Sequence, residues 1–265
     1  SVRYIDVSEN TSRFTNHSVD MGSAGTLYVN DVTNTIRVEQ DIIGINLQTL
    51  PVKLTRNIYP ATNGFNKVAG ISSSWNYENA ITLESGILTW TQFDGSTIKF
   101  VKPDDNIIIN EDGYQKWLPV ASGLLQLNAA LWISEDLADS NGLNADYTQC
   151  YIELNDTTYN FNINGKISKI SEYGKNITFT YGSIGLSKIV DAAGNKYTFS
   201  YDTYSIGVNE YTYVSKIAVK NSDNQTISID NNEYSVTFNN TYDIQTQKIT
   251  STTTYCDNKT CSYVF

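Results

Sequence analysis

Gly185-Leu186-Ser187-Lys188-Ile189-Val190-Asp191-Ala192-Ala193-Gly194-Asn195-Lys196-Tyr197-Thr198-Phe199-Ser200-Tyr201-Asp202 decides the reading of this chain. A short apolar strand runs into a Gly-bearing turn, and a second strand leaves it with a ring at every other position. Strand side chains alternate between faces, so Tyr197, Phe199 and Tyr201 share one face. Gly194 supplies the positive φ that a tight hairpin loop often demands. One such hairpin is marginal in water, so the unit needs neighbours.

The neighbours are present. Ser168-Lys169-Ile170 and Ser215-Lys216-Ile217 copy the tripeptide Ser187-Lys188-Ile189. The first copy leads through Ser171-Glu172-Tyr173-Gly174-Lys175 into Ile177-Thr178-Phe179-Thr180-Tyr181, the same aromatic alternation. A partial copy, Tyr159-Asn160-Phe161, precedes Gly165-Lys166-Ile167. Repetition at this short period means stacked hairpins with a continuous aromatic face.

Strand signals also fill the first half. Thr26-Leu27-Tyr28-Val29, Thr35-Ile36-Arg37-Val38-Glu39 and Pro51-Val52-Lys53-Leu54-Thr55-Arg56 alternate. Gly86-Ile87-Leu88-Thr89-Trp90-Thr91-Gln92-Phe93 meets Asp94-Gly95, a hairpin turn signal. The stretch 123–139 is ambiguous. Alternation at Leu125, Leu127 and Ala129 favours strand, whereas the run from Ala129 through Ala138 favours a helical turn. The expected fold is all-β: one curved antiparallel sheet of stacked hairpins over 1–265, with 156–217 as the repeat hairpins and 218–265 as further strands.

Composition narrows the function classes. The chain has 265 residues, of which 40% are hydrophobic, with 19 Tyr and 9 Phe, so a core is available. Net charge is −10 without a basic cluster, which argues against nucleic acid and against an anionic membrane surface. No stretch has the length of a membrane span. Both ends read as cut from a longer chain.

Residues with chemistry are scattered. His17 is the only histidine, in a polar segment without a nucleophile elbow. The adjacent carboxylates Asp104-Asp105, Glu111-Asp112 and Glu135-Asp136 lie beside turn residues, and neighbours on a strand point apart. The loop 139–146 is rich in Asp and Asn but lacks EF-hand spacing. Cys256 and Cys261 flank a four-residue polar loop and are candidates for a hairpin disulfide; the alternative is two free strand thiols. Cys150 reads as a small buried residue. Trp75, Trp90, Trp117 and Trp132 read either as core or as a sugar-stacking platform. No metal, cofactor or catalytic set is expected, so the chain reads as a non-enzyme.

The unit 185–202 resembles a repeat of the RHS/YD-repeat proteins, including its closing Tyr201-Asp202; the copy ending Tyr181-Gly182 departs from that pattern. Asn16-His17-Ser18-Val19-Asp20-Met21-Gly22-Ser23-Ala24-Gly25-Thr26-Leu27-Tyr28-Val29-Asn30-Asp31 resembles the segment that opens the RHS region in large Gram-positive wall-associated proteins. Residues 50–59, 75–77 and 93–100 resemble its next landmarks, in order. The resemblance therefore assigns 1–155 to an RHS-opening region. It implies a sheet that spirals into a shell, and an extracellular or cell-wall location. It also implies partners in other domains of the same long chain, with cell-surface carbohydrate as an alternative ligand. Some members enclose a C-terminal toxin behind a self-cleaving segment. No Asp-Pro pair occurs here, so any cargo lies outside this chain.

Overall fold

The computed structural model describes residues 16–21, 24–30, 35–45, 50–58, 73–92, 97–103, 107–120, 128–140, 142–246 and 248–264. The protein is all-β and antiparallel. Helix among the described residues is confined to α1 (Glu135–Asp139) and single 3-10 turns such as Tyr147–Gln149. Residues 123–127 of the ambiguous stretch, with Leu125 and Leu127, lie outside the described residues; the described remainder is both things in succession. Ala129–Ile133 is a strand, and Ser134 then caps α1 by accepting from the Leu137 N–H at 3.2 Å. The turn expected at Asp94-Gly95 lies outside the described residues.

The chain folds as two compact units, whose boundaries differ from those of the segments 1–155, 156–217 and 218–265. The described part of the first unit lies within 77–176. Its strands, in chain order, are β6 (Ala80–Glu84), β7 (Ile87–Thr91), β8 (Thr97–Val101), β9 (Gln115–Pro119), β10 (Ala129–Ile133), β11 (Cys150–Leu154), β12 (Thr157–Phe161) and β13 (Ile167–Glu172). Each pairs with its sequence neighbour. Inward side chains Leu88, Trp90, Phe100, Trp117, Leu131, Ile152 and Phe161 form its core. The outer edge of β6 is covered. Ile81 N donates to Gly165 O, and Leu83 N to the Tyr147 hydroxyl. Gly142 approaches so closely that an added Cβ would lie 1.9 Å from the Leu83 carbonyl oxygen. A bare edge strand is a pairing hazard, and these loops remove it.

The described part of the second unit lies within 16–76 and 177–264. Its first sheet is β1 (Asn16–Asp20), β2 (Thr26–Asn30), β3 (Thr35–Ile45), β4 (Val52–Ile58) and β5 (Ser73–Trp75), in that order. Its second contains β14 (Lys175–Tyr181), which begins at the boundary, β15 (Leu186–Val190), β16 (Lys196–Ile206), β17 (Asn209–Lys220), β20 (Ser235–Asp243), β21 (Lys248–Thr254) and β22 (Thr260–Val264). A small separate hairpin, β18 (Ser228–Ile229) and β19 (Asn232–Glu233), interrupts the run. The two sheets meet through Trp75. Its ring is fully buried and meets Phe238 and Phe199 edge-on, at 5.6 and 6.3 Å between centroids.

Two local devices recur. The first is a loop. Asn110, Asn162, Asp191 and Asn221 each open a turn in which the side-chain Oδ1 accepts the backbone N–H groups two and four residues on, at 2.8–3.1 Å. The first and fifth residues of each loop are joined by a backbone hydrogen bond, and the fourth has positive φ: Gly113, Gly165, Gly194 and Asn224. The second device is a β-bulge at the tripeptide. Lys169 pairs with Asn160 and Ile167 with Phe161, so Ser168 is skipped. Ser187 and Ser215 are skipped in the same way, opposite Thr180/Tyr181 and Ser200/Tyr201. An extra residue on one strand bends it and raises its twist. The Ile of each tripeptide then points inward, and Ile170, Ile189 and Ile217 are all buried.

Asp191 is 3% exposed and accepts a third hydrogen bond from Asn195 Nδ2 at 2.8 Å. Asp191→Ala is expected to lower unfolding free energy by about 2–3 kcal/mol, because three donors lose their acceptor. Asp191→Asn keeps Oδ1, as three sister loops do, and should cost under about 1 kcal/mol. Urea denaturation of the two variants checks the difference.

Candidate functional site

The repeat strands direct their apolar residues inward and leave Thr178, Thr180, Thr198 and Ser200 exposed. That alternation leaves little chemistry on the repeats; carboxylates and tyrosines gather instead at hairpin ends. In the second unit the hairpin ends of both sheets surround an open groove of about 810 Å³. Asp20 ends β1, Tyr28 comes from β2, and Glu39 and Asp41 from β3. Lys53 comes from β4, Asp230 from the β18–β19 turn, and Tyr255, Asp257 and Lys259 from the turn before β22. Tyr234 completes the wall.

Two of these rings are pinned at the tip. The Tyr234 hydroxyl donates to Gly44 O and accepts from Gly44 N. The Tyr255 hydroxyl donates to Asp41 O at 3.1 Å. A phenol anchored to backbone keeps its ring in place, which lowers the entropy lost when something packs against it. Five carboxylates face two ammonium groups here, and each ammonium is already engaged: Lys53 with Asp41 at 2.9 Å and Lys259 with Asp257 at 2.6 Å. These exposed pairs contribute little stability, and the excess of carboxylates over ammonium groups leaves the groove negative.

The candidates from the sequence fall elsewhere. Trp75, Trp90 and Trp117 are at most 2% exposed, so none can stack on a sugar; alternation turns them to the core. Trp132 is half-buried on the outward face of β10, between Lys116 of β9 and Tyr151 of β11 in register. The Lys116 ammonium lies 5.5 Å from its ring centroid and the Tyr151 ring is nearly parallel at 6.3 Å. These neighbours flank the ring, which stays partly exposed on that face. Trp132 Nε1 donates to Glu153 at 2.7 Å. The four tryptophans therefore form no shared platform.

The expected disulfide is also not formed. Cys256 and Cys261 are free thiols. Cys261 pairs with Thr253, and Cys256 sits in the turn closed by Tyr255 and Lys259. That register separates the two by roughly three residues of strand, about 10 Å, too far to bridge. Cys150 is buried, donates to Tyr147 O at 3.4 Å, and its thiol is pushed up by burial and by the Asp146 charge.

His17 lies exposed on β1. Glu111, Asp112, Glu135 and Asp136 are exposed at turns or in the first turn of α1, whereas Asp104 and Asp105 lie outside the described residues. In the loop 139–146, Asp146 caps the 3-10 turn through Thr148 N and Asp139 pairs with Lys102 at 3.7 Å. No group of three or more His, Cys, Asp or Glu among the described residues is placed to hold a metal ion.

Sequence reasoning missed Arg56. It is 1% exposed, donates to Ser251 Oγ at 2.8 Å, and its guanidinium lies 5.5 Å from the Phe238 ring centroid. Its sequence context is an ordinary alternating strand, and nothing local marks a buried cation. No family model and no curated protein matches the chain.

Two outcomes follow from this geometry. Native, unreduced protein treated with iodoacetamide should be alkylated at Cys256 and Cys261, with Cys150 reacting only after denaturation; a mass two hydrogens lower with both sites blocked would restore the disulfide. Tyr255 is pushed up to about 12, by burial first and then by the neighbouring Cys261 charge. An unfolded tyrosine titrates near about 10, so the fold favours the neutral phenol. That contribution is complete below about pH 10 and is lost as pH rises toward the folded value. Urea melts from about pH 8 upward should therefore show wild type losing stability relative to Tyr255→Phe above about pH 10.

Proposed function

We propose that the chain is a non-catalytic structural segment, a length of wall in a large secreted or cell-surface protein of the RHS/YD-repeat kind. The observation that carries this reading is what the recurring residues do. The Asx residue of each repeat loop binds backbone, the Ser of each tripeptide makes a bulge, and the rings and isoleucines fill the core. Residue identity in the repeats serves backbone geometry, as a scaffold requires. The other domains of the intact chain are its expected partners, and it acts outside the cell.

A second reading, carbohydrate binding, is favoured by one feature, the groove with Tyr28, Tyr234 and Tyr255 beside Asp20 and Asp230. Ring faces next to hydroxyl-accepting carboxylates suit a sugar. One experiment addresses both readings. Purified protein is incubated with a polysaccharide, peptide and ester panel, and titrated with chitotetraose and maltotetraose by calorimetry. The structural reading expects no turnover and no saturable heat. Saturable binding weakened about tenfold by Tyr28→Ala would favour the second reading. Hydrolysis abolished by Glu39→Gln, Asp230→Asn or His17→Ala would overturn both.

A further inference from the structure

The outward face of the first unit breaks the pattern kept by the repeats. Exposed positions on the repeat strands β14 and β16 are polar, mostly Thr and Ser with Lys175, Asn176 and Asp202, but here Ile108 is 57% exposed, Leu118 52%, Val120 49% and Ile87 38%. These residues are contiguous. Ile87 pairs with Val101 and Val101 with Leu118, giving an apolar row across β7, β8 and β9. On β9, Lys116 lies two residues from Leu118 on the same face, beside Ile108, whose carbonyl accepts the Lys116 N–H. Trp132 and Tyr151 extend the patch onto β10 and β11. An apolar sheet face of this kind marks a contact surface, and Trp and Tyr are its usual anchors.

We propose that this face binds a second copy of the chain, sheet against sheet, about a two-fold axis running along β10. The charges on the face select that occupant. Lys116 stands on β9 and Glu153 on β11, on opposite sides of the axis. A rotation about β10 lays β9 of one copy over β11 of the other. Each Lys116 then faces the Glu153 of its mate, and Trp132 meets Trp132 at the centre. An isologous contact needs a self-complementary patch of this kind. The chain as a whole carries −10, so copies repel one another over most of their surface. Here a cation and an anion frame apolar residues, and the approach of a like copy is not opposed. The long side chains of Lys116 and Glu153 span the diagonal offset of one residue pair along the strands.

Sedimentation velocity over a concentration series tests the proposal. Wild type should form a reversible dimer with a Kd of about 1–100 µM, in the range of a modest interface. Leu118→Lys and Ile108→Asp should each be monomeric with an unchanged circular dichroism spectrum and melting temperature; two exposed sites guard against one variant misfolding. Lys116→Glu and Glu153→Lys should each weaken the dimer about tenfold or more, and an equimolar mixture should recover it, because each mutant supplies the other's missing charge. A wild type that stays monomeric to about ten times the upper Kd would overturn the proposal. So would a dimer indifferent to Leu118→Lys and Ile108→Asp, or charge variants that fail to rescue each other.

Discussion

A single side-chain carbonyl oxygen, presented by Asn or Asp at the first position of a five-residue loop, closes the hairpins led by Asn110, Asn162, Asp191 and Asn221. It takes two backbone N–H groups that would otherwise face water or each other. The net energy of one such bond is about 1 kcal/mol, against about 3–5 kcal/mol for truncating a buried Trp such as Trp75. Packing therefore supplies most of the stability, and the loop supplies the choice of register. That choice matters because a slip of one residue would turn Tyr197 and Phe199 to solvent and Thr198 to the core.

With register set, the skipped serines shape the strands. Ser168, Ser187 and Ser215 each add one residue opposite an aromatic strand, and Ser187 Oγ donates to the carbonyl of Thr180 at 2.9 Å. The bulge keeps the following Ile inward while bending the strand that carries it. In the second unit the bent strands meet the sheet of β1–β5 over a core that is not purely apolar. Arg56 lies between the Phe238 ring and the hydroxyls of Ser251 and Thr253. Removing a guanidinium from water costs about several kcal/mol, which the hydroxyls and the ring offset only in this arrangement.

The same division of labour separates the protein's surfaces. Repeat strands present hydroxyls outward, the groove gathers carboxylates and tyrosines at hairpin ends, and the first unit exposes an apolar face. Outward hydroxyls keep the repeat faces wetted. The other two are departures from the pattern, and departures are where contact with other molecules is expected.

Periodicity and turn chemistry made the strands, the inward rows and the Asp191 loop legible in the sequence, because each depends on residues within about five positions of one another. The loops at Asn110, Asn162 and Asn221 obey the same rule, an Asx followed three residues later by Gly or Asn, and were open to the same reading. The triplet Ser-Lys-Ile was visible as a repeat, but its meaning was not, since a bulge exists only relative to the partner strand. Everything that joins distant segments was decided by tertiary structure. Folding buried Arg56 against Ser251, 195 residues away, and placed three tryptophans inside while leaving Trp132 at the surface. It set Cys261 opposite Thr253 rather than near Cys256, and brought Asp20 to the same groove as Tyr255. These outcomes depend on which sheet faces meet. Alternation states only that a face is apolar or polar, never what will cover it.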